Sequence, residues 1–232
     1  MPITTVGLDA DDTLWHNETL FRLTQDRFLD LLTDHDTEAV RARLAEVERR
    51  NLRLYGYGVK GFTLSMIETA MEMCDGEPPA GAIREILAAG REMLAHPVET
   101  LPGVDEALAR LSERYRLVLV TKGDLLDQER KLAASGLGEL FAAVEIVSEK
   151  DRTTYDRVFA RHGTGAAEAV MAGNSMKSDV LPALEAGAFA VHIPYAITWA
   201  HELADAPQDH PRYGALDRIA DLPDWIDARS DG

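Results

Sequence analysis

A chain of 232 residues with 46% hydrophobic and 28% charged residues has enough apolar material for a substantial core, and its composition is neither disordered nor fibrous. Its 24 basic and 40 acidic residues give a formal charge of −16, which disfavours nucleic acid and anionic membranes as partners but allows a local basic pocket for a small anion. A single cysteine, Cys74, excludes an internal disulfide; with no basic leader and no apolar run long enough to span a bilayer, the chain is expected to work in the cytoplasm.

In chain order, residues 3–8 form an apolar strand that runs directly into Asp9, Asp11 and Asp12, with Thr13 next. Carboxylates crowded at a strand end repel one another, so the arrangement is unfavourable for stability unless a cation or hydrogen bonds offset it. After Trp15 the pattern turns helical for about eighty residues. Phe21, Phe28 and Leu32 share one face; Val40, Leu44 and Val47 mark a second helix that Asp36 or Thr37 caps. A glycine-rich break at 55–61 precedes a third apolar face, Phe62, Met66, Ile67, Ala70, Met71 and Cys74, which ends in the glycines and prolines of 76–81. Ile83, Ile86, Leu87 and Leu94 indicate a fourth helix.

Residues 101–103 read as a linker, and from there short strands and helices alternate. Helices are expected at 104–111, 125–134, around Tyr155, Val158 and Phe159, and at 179–186; strands at 117–120, 143–147, 169–172 and 189–193. The expected fold is α/β: a Rossmann-like parallel sheet core with helices on both faces, formed by residues 1–15 and 100–232, carrying an inserted helical cap domain at 16–99. Residues 194–218 fit no regular pattern, and Pro223 opens a final short helix.

Ligands of open parallel sheets bind beyond the carboxyl ends of the strands. There the sequence places Asp9, Asp11, Asp12 and Thr13, then Thr121, Lys122 and Asp124, then Ser148, Glu149, Lys150 and Asp151, then Asn174, Ser175, Lys177, Ser178 and Asp179. Each has an ordinary structural counterpart: Thr121 a cap, Lys150 a solvated lysine, Asn174-Ser175 a turn, Ser178-Asp179 a helix start. Together they suit a phosphoryl group with a hard divalent cation, because carboxylate and carbonyl oxygens hold Mg²⁺ while lysine, hydroxyl and backbone N–H groups hold phosphate oxygens.

Residues 9–14, Thr121, Lys150 and Gly173-Asn174-Ser175 with Asp179 resemble, in order and separation, the four motifs of the haloacid dehalogenase-like (HAD) hydrolases, and the long helical insertion resembles the C1-type cap of subfamily I. The resemblance implies an Mg²⁺-dependent phosphomonoesterase acting on a small phosphorylated metabolite, as a monomer or homodimer. Asp9 is then the nucleophile that forms an aspartyl-phosphate, and Asp11 the acid and base, a role for which an ordinary carboxyl pKa of ~3.9 would be too low at neutral pH. It further implies that Thr121 bonds a phosphoryl oxygen and that Lys150 offsets charge on nucleophile and phosphate; Lys122 and Lys177 compete for the phosphate contact, and the resemblance alone favours Lys150. The metal falls to Asp9, the Asp11 carbonyl, and Asn174 or Asp179. Two departures stand out: Asp12 where many relatives have glycine, and Asn174 where they often have an aspartate ligand, which offers the cation less charge.

Trp15, His16, Asn17 and Glu18 are expected near the entrance, and His192, Trp199, His201 and Glu202 at the rim. A phosphotransferase or phosphomutase would use the same Asp9 and Asp11. A metal-independent 2-haloacid dehalogenase would not need Asp11, and a non-catalytic binding protein on this fold would need neither.

Overall fold

The computed structural model describes residues 2–230. Six parallel strands form one sheet in the order β3-β2-β1-β4-β5-β6, with β1 Thr5–Leu8, β2 Arg116–Lys122, β3 Ala143–Val147, β4 Ala169–Gly173, β5 Phe189–His192 and β6 Tyr213–Ala215. β1 lies between β2 and β4, with Thr5 in register with Arg116 on one side and Ala169 on the other. Every residue of β1 and β4 is buried, as expected of central strands covered on both faces.

Alternation along β2 shows how both faces are covered. Leu117 and Leu119 point into one core layer with Val104, Leu108 and Leu111 of α5 (Val104–Ser112) and Leu222 and Ile226 of α9 (Leu222–Ser230). Val118 and Val120 point into the other, against Tyr155, Val158 and Phe159 of α7 (Arg152–His162) and Ala183 of α8 (Leu181–Glu185). Burying each such side chain is worth ~1.5–3 kcal/mol, so this two-sided packing fixes the sheet and thereby its carboxyl edge.

The described residues divide into two compact units. The sheet unit runs to Glu18 and comprises Val98–Lys122 and the chain from Gln128 onward; the other is Thr19–Pro97 with Gly123–Asp127. The second unit is built on α1 (Glu18–Leu29), α2 (Thr37–Tyr55), α3 (Val59–Met73) and α4 (Ala82–Ala95), around Phe28, Leu32, Val40, Leu44, Phe62, Met66, Ala70, Ile86 and Met93. Asp36 caps α2 by accepting from the Ala39 amide at 2.9 Å. α6 (Leu125–Ser135) ends at Gly136, whose φ of +73° is the left-handed conformation a helix terminus favours.

Three expectations need correction. The segment 194–218 is not wholly irregular, because Tyr213–Ala215 adds an edge strand to β5. α3 begins at Val59, inside the glycine-rich stretch. The helix expected from Asp179 is preceded by a π-helical turn, Met176–Val180, capped by Ser175 rather than by Ser178: the Ser175 hydroxyl accepts from the Ser178 amide at 2.9 Å. No helix among the described residues is long and apolar enough to cross a membrane.

Candidate active site

The carboxyl ends of β1, β2 and β4, with the segments after β3, β4 and β5, hold a continuous network of hydrogen-bonded side-chain and backbone groups. At its centre Lys150 is buried between two carboxylates, donating to Asp9 Oδ1 at 2.5 Å and Asp179 Oδ1 at 2.7 Å. The other Asp9 oxygen accepts from Thr13 Oγ1 at 2.9 Å, and the other Asp179 oxygen from the Ser175 amide at 2.8 Å. Gly173 makes the second contact possible, since a Cβ there would lie 2.3 Å from Asp179 Oδ2.

One ammonium faces two buried acids, and the electrostatics register the imbalance. Burial, then the Asp179 charge, push Asp9 up to about 7, more than Lys150 draws it down. Burial also works against the Lys150 charge, but Asp179 and Asp9 outweigh it and hold the ammonium above its ordinary range.

Asp11 belongs to an adjoining set. Its Oδ1 accepts from Trp15 Nε1 at 2.8 Å and Lys131 Nζ at 2.5 Å, and its Oδ2 from Gln128 Nε2 at 2.9 Å. The same Gln128 nitrogen lies 2.8 Å from Thr121 Oγ1 and 2.6 Å from the Lys122 carbonyl. Asp12 turns the chain at φ +62°, where glycine is the easier residue, and its carboxylate accepts from the Asn17 and Glu18 amides at the start of α1. Burial raises Asp12 to about 7 in spite of those bonds.

A third set surrounds Glu202. Lys122 Nζ donates to Glu202 Oε1 at 2.7 Å and to Ser178 Oγ at 2.9 Å, and the Ser175 and Ser178 hydroxyls both bond the second Glu202 oxygen. Burial pushes Glu202 up, but Lys122 and the two serines more than reverse it and hold the carboxyl at about 2.

These sets are linked. Thr13 bridges Asp9 to Asn174, accepting from its amide at 3.0 Å; Ser175 joins Asp179 to Glu202; the Lys122 carbonyl joins Glu202's partner to Gln128 and so to Asp11. Asp9, Asp11, Thr121, Lys122, Lys150, Asn174 and Asp179 thus occupy one connected network. Lys177 does not: its ammonium reaches the His201 carbonyl at 2.8 Å. Trp15 is a buried core residue, while His16 Nδ1 lies 2.6 Å from the Tyr195 hydroxyl. His192 Nε2 donates to the Asn174 carbonyl at 3.0 Å, and burial lowers its pKa.

Sequence reasoning missed Gln128 and Lys131 altogether and gave Glu202 only a place at the rim. A signal for the first two lay in their spacing: residues three apart on a helix share a face, here the one buried toward Asp11.

The donor set fits a hard cation. Among the described residues no three carboxylate, imidazole or thiolate side chains converge as a ready metal cage. An ion here would instead draw on Asp9, the Asp11 carbonyl and either Asp179, whose oxygens accept from Lys150 and the Ser175 amide, or the Asn174 amide oxygen, which Thr13 Oγ1 approaches only at a long 3.4 Å. The excess buried negative charge that raises Asp9 is what such a cation would neutralise.

A parallel α/β fold with an aspartate-rich first strand end and a buried lysine bridging it to the fourth defines a class, and comparison identifies it. The family model for haloacid dehalogenase-like hydrolases matches residues 3–187, and the chain belongs to that family. A haloacid dehalogenase-like family hydrolase from Xanthomonas campestris is 41% identical, with 99% of this chain and 93% of that one covered at a TM-score of 0.89. The protein YfnB of Bacillus subtilis, bound to magnesium, shares the fold at 15% identity, 97% and 99% coverage and a TM-score of 0.68. So does L-2-haloacid dehalogenase from Xanthobacter autotrophicus with chloropropionic acid covalently bound, at 15% identity, 97% and 98% coverage and a TM-score of 0.66. Comparison with curated proteins gave no match.

Proposed function

We propose that this hydrolase is a phosphomonoesterase that cleaves a small phosphorylated metabolite through an aspartyl-phosphate, with Mg²⁺ as cofactor. The fold does not choose between this and dehalogenation, since a magnesium-bound hydrolase and an L-2-haloacid dehalogenase both share it. The observation that carries the reading is that Asp9 and Asp11 follow the same strand in separate donor sets, one around Lys150 and Thr13, the other around Trp15, Gln128 and Lys131. A halide departs without a proton; an alkoxide needs one, and a second carboxyl beside the nucleophile supplies it.

In the reaction an Asp9 oxygen attacks phosphorus, and the bond from phosphorus to the leaving oxygen breaks as Asp11 passes that oxygen its proton. Asp11 then takes a proton from water as the water oxygen attacks phosphorus, releasing inorganic phosphate and restoring the Asp9 carboxylate. Lys150 holds the Asp9 carboxylate in place and balances its charge, and the Thr121 hydroxyl bonds a phosphoryl oxygen. Asp9, the Asp11 carbonyl and Asn174 or Asp179 would hold the Mg²⁺, which would supply further neutralisation of phosphoryl charge.

The test is a panel of phosphorylated metabolites assayed with Mg²⁺ and with chelator, on the native chain and on Asp9→Asn. Phosphate release that needs Mg²⁺ and disappears in Asp9→Asn, while circular dichroism reports an intact fold, is the expected result. Retention of most activity by the variant removes Asp9 from its role, and chloride release from 2-chloropropionate in chelator would establish the dehalogenase instead.

A further inference from the structure

α6 is built inside out at its start. Leu125 and Leu126 are 59% and 67% exposed, whereas its buried positions are Asp127, Gln128 and Lys131. Burying a lysine and a primary amide in place of two leucines is unfavourable unless each meets a partner, so the reason for this face lies in what it touches. In the sheet unit, what Gln128 and Lys131 share is the Asp11 carboxyl group.

The two bonds differ in kind. Lys131 and Trp15 both engage Oδ1, anchoring one oxygen from two directions. Gln128 engages Oδ2, but its amide nitrogen has two hydrogens for three acceptors, and of the three the Asp11 contact at 2.9 Å is the longest. The shorter contacts to Thr121 Oγ1 and the Lys122 carbonyl fix the amide whether or not Oδ2 is engaged, while its own Oε1 is buried without a partner. Gln128 therefore spans the phosphate-binding hydroxyl and the acid. A shift of either carries to the other through one rigid planar group.

We propose that Gln128 and Lys131 are positioning residues for Asp11: they select one rotamer of its carboxyl group, with Oδ1 anchored and Oδ2 presented to the leaving oxygen, in register with the phosphoryl oxygen held by Thr121. The inference rests on the phosphomonoesterase reading and adds to it two residues outside the four strand-end motifs.

The test uses the dependence on leaving group. Lys131→Met and Gln128→Leu keep side-chain length and remove the donors, Lys131→Arg restores a cation, and Asp11→Asn gives the reference for a lost acid. On glycerol 2-phosphate, whose alkoxide needs a proton, both clamp variants are expected to lose about 100-fold in kcat with little change in KM. On 4-nitrophenyl phosphate, whose leaving group needs none, the loss stays within about fivefold. Lys131→Arg regains part of the alkyl activity, and a crystal structure of Gln128→Leu shows the Asp11 carboxyl turned from its native rotamer. This last readout needs no turnover, and the Gln128 and Lys131 variants test the clamp independently if one of them does not fold.

Equal losses on the two esters, or an unmoved Asp11 in the variant structure, overturn the clamp while a leaving-group-selective Asp11→Asn leaves the phosphomonoesterase reading standing. An Asp11→Asn enzyme that is no more impaired on the alkyl ester than on the aryl ester overturns the acid role of Asp11 and the clamp with it.

Discussion

Lys150 carries the heaviest electrostatic load of any single side chain in the network, because its ammonium, on a side chain only 2% exposed, is the direct partner of both Asp9 and Asp179. Removing one partner from a buried ionic group leaves uncompensated charge, which typically destabilises by ~3–5 kcal/mol. Lys150→Met is expected to lose stability on that scale in urea unfolding at neutral pH, and to recover part of it in acid, where the stranded carboxyls protonate. Asn174 presents the opposite case. Its neutral amide stands where a further carboxylate would add to an already negative cluster, so Asn174→Asp should lower the melting temperature without metal. With Mg²⁺ the same variant should bind about tenfold more tightly by calorimetry, because a hard cation rewards each added carboxylate. A variant that lowered stability without any gain in Mg²⁺ affinity would place the cation away from residue 174.

The elements that position the network are short, and their ends set its chemistry. Asp12 closes the turn after β1 and caps α1, and burial raises its folded pKa from 3.8 to about 7; Asp9, ending the same strand, moves the same way. Between those values the folded chain binds more protons than the unfolded one. The stability that proton binding contributes is therefore fully present below pH 3.8 and lost as pH rises through about 7. Urea unfolding of the native chain should show this decline, and Asp12→Asn, which keeps a cap acceptor without a titrating group, should show a shallower one. At β4 the limit is steric: Gly173→Ala must push Asp179 off the Ser175 amide, and the expected outcome is a loss of ~1–3 kcal/mol with a drop in turnover. Strand ends like these were legible in the sequence, because a parallel sheet gathers the residues that follow each apolar run at one edge. The buried face of α6 was not: the sequence marks a helix over 125–134 but not its inner face, Leu125 and Leu126 are exposed, and contact with Asp11 explains Gln128 and Lys131. Glu202 was given only a place at the rim for a related reason: its partners Lys122, Ser175 and Ser178 come from the end of β2 and the turn after β4, and no local pattern announces them.

At the scale of the whole chain, the alternation of strands and helices revealed the α/β class, whereas β6 left no trace in the pattern. It is three residues long, and its one buried position is Gly214, packed so closely against Trp225 that a Cβ would lie 2.5 Å from the indole ring. The division into two units carries its own consequence for folding. Where the chain leaves the sheet unit and where it returns are bonded to each other: the Leu101 amide donates to the Leu14 carbonyl at 2.8 Å, the His16 amide to the Glu99 carbonyl at 3.1 Å, and Trp15 pairs antiparallel with Thr100. A long insertion closed by its host's own hydrogen bonds adds little to the host's stability beyond loop-closure entropy, which grows only slowly with length. Replacing residues 19–97 by a short glycine-serine linker should therefore leave a sheet unit that unfolds in one cooperative urea transition, with the far-ultraviolet signature of an α/β fold and a midpoint near that of the native chain's sheet. Without the insertion, hydrolysis of 4-nitrophenyl phosphate should fall and specificity among phosphorylated metabolites should broaden. A linker variant that collapsed to a non-cooperative state would show that the helices belong to the folding unit of the sheet, and that the hydrogen bonds joining residues 14–16 to 99–101 are a result of that folding rather than its support.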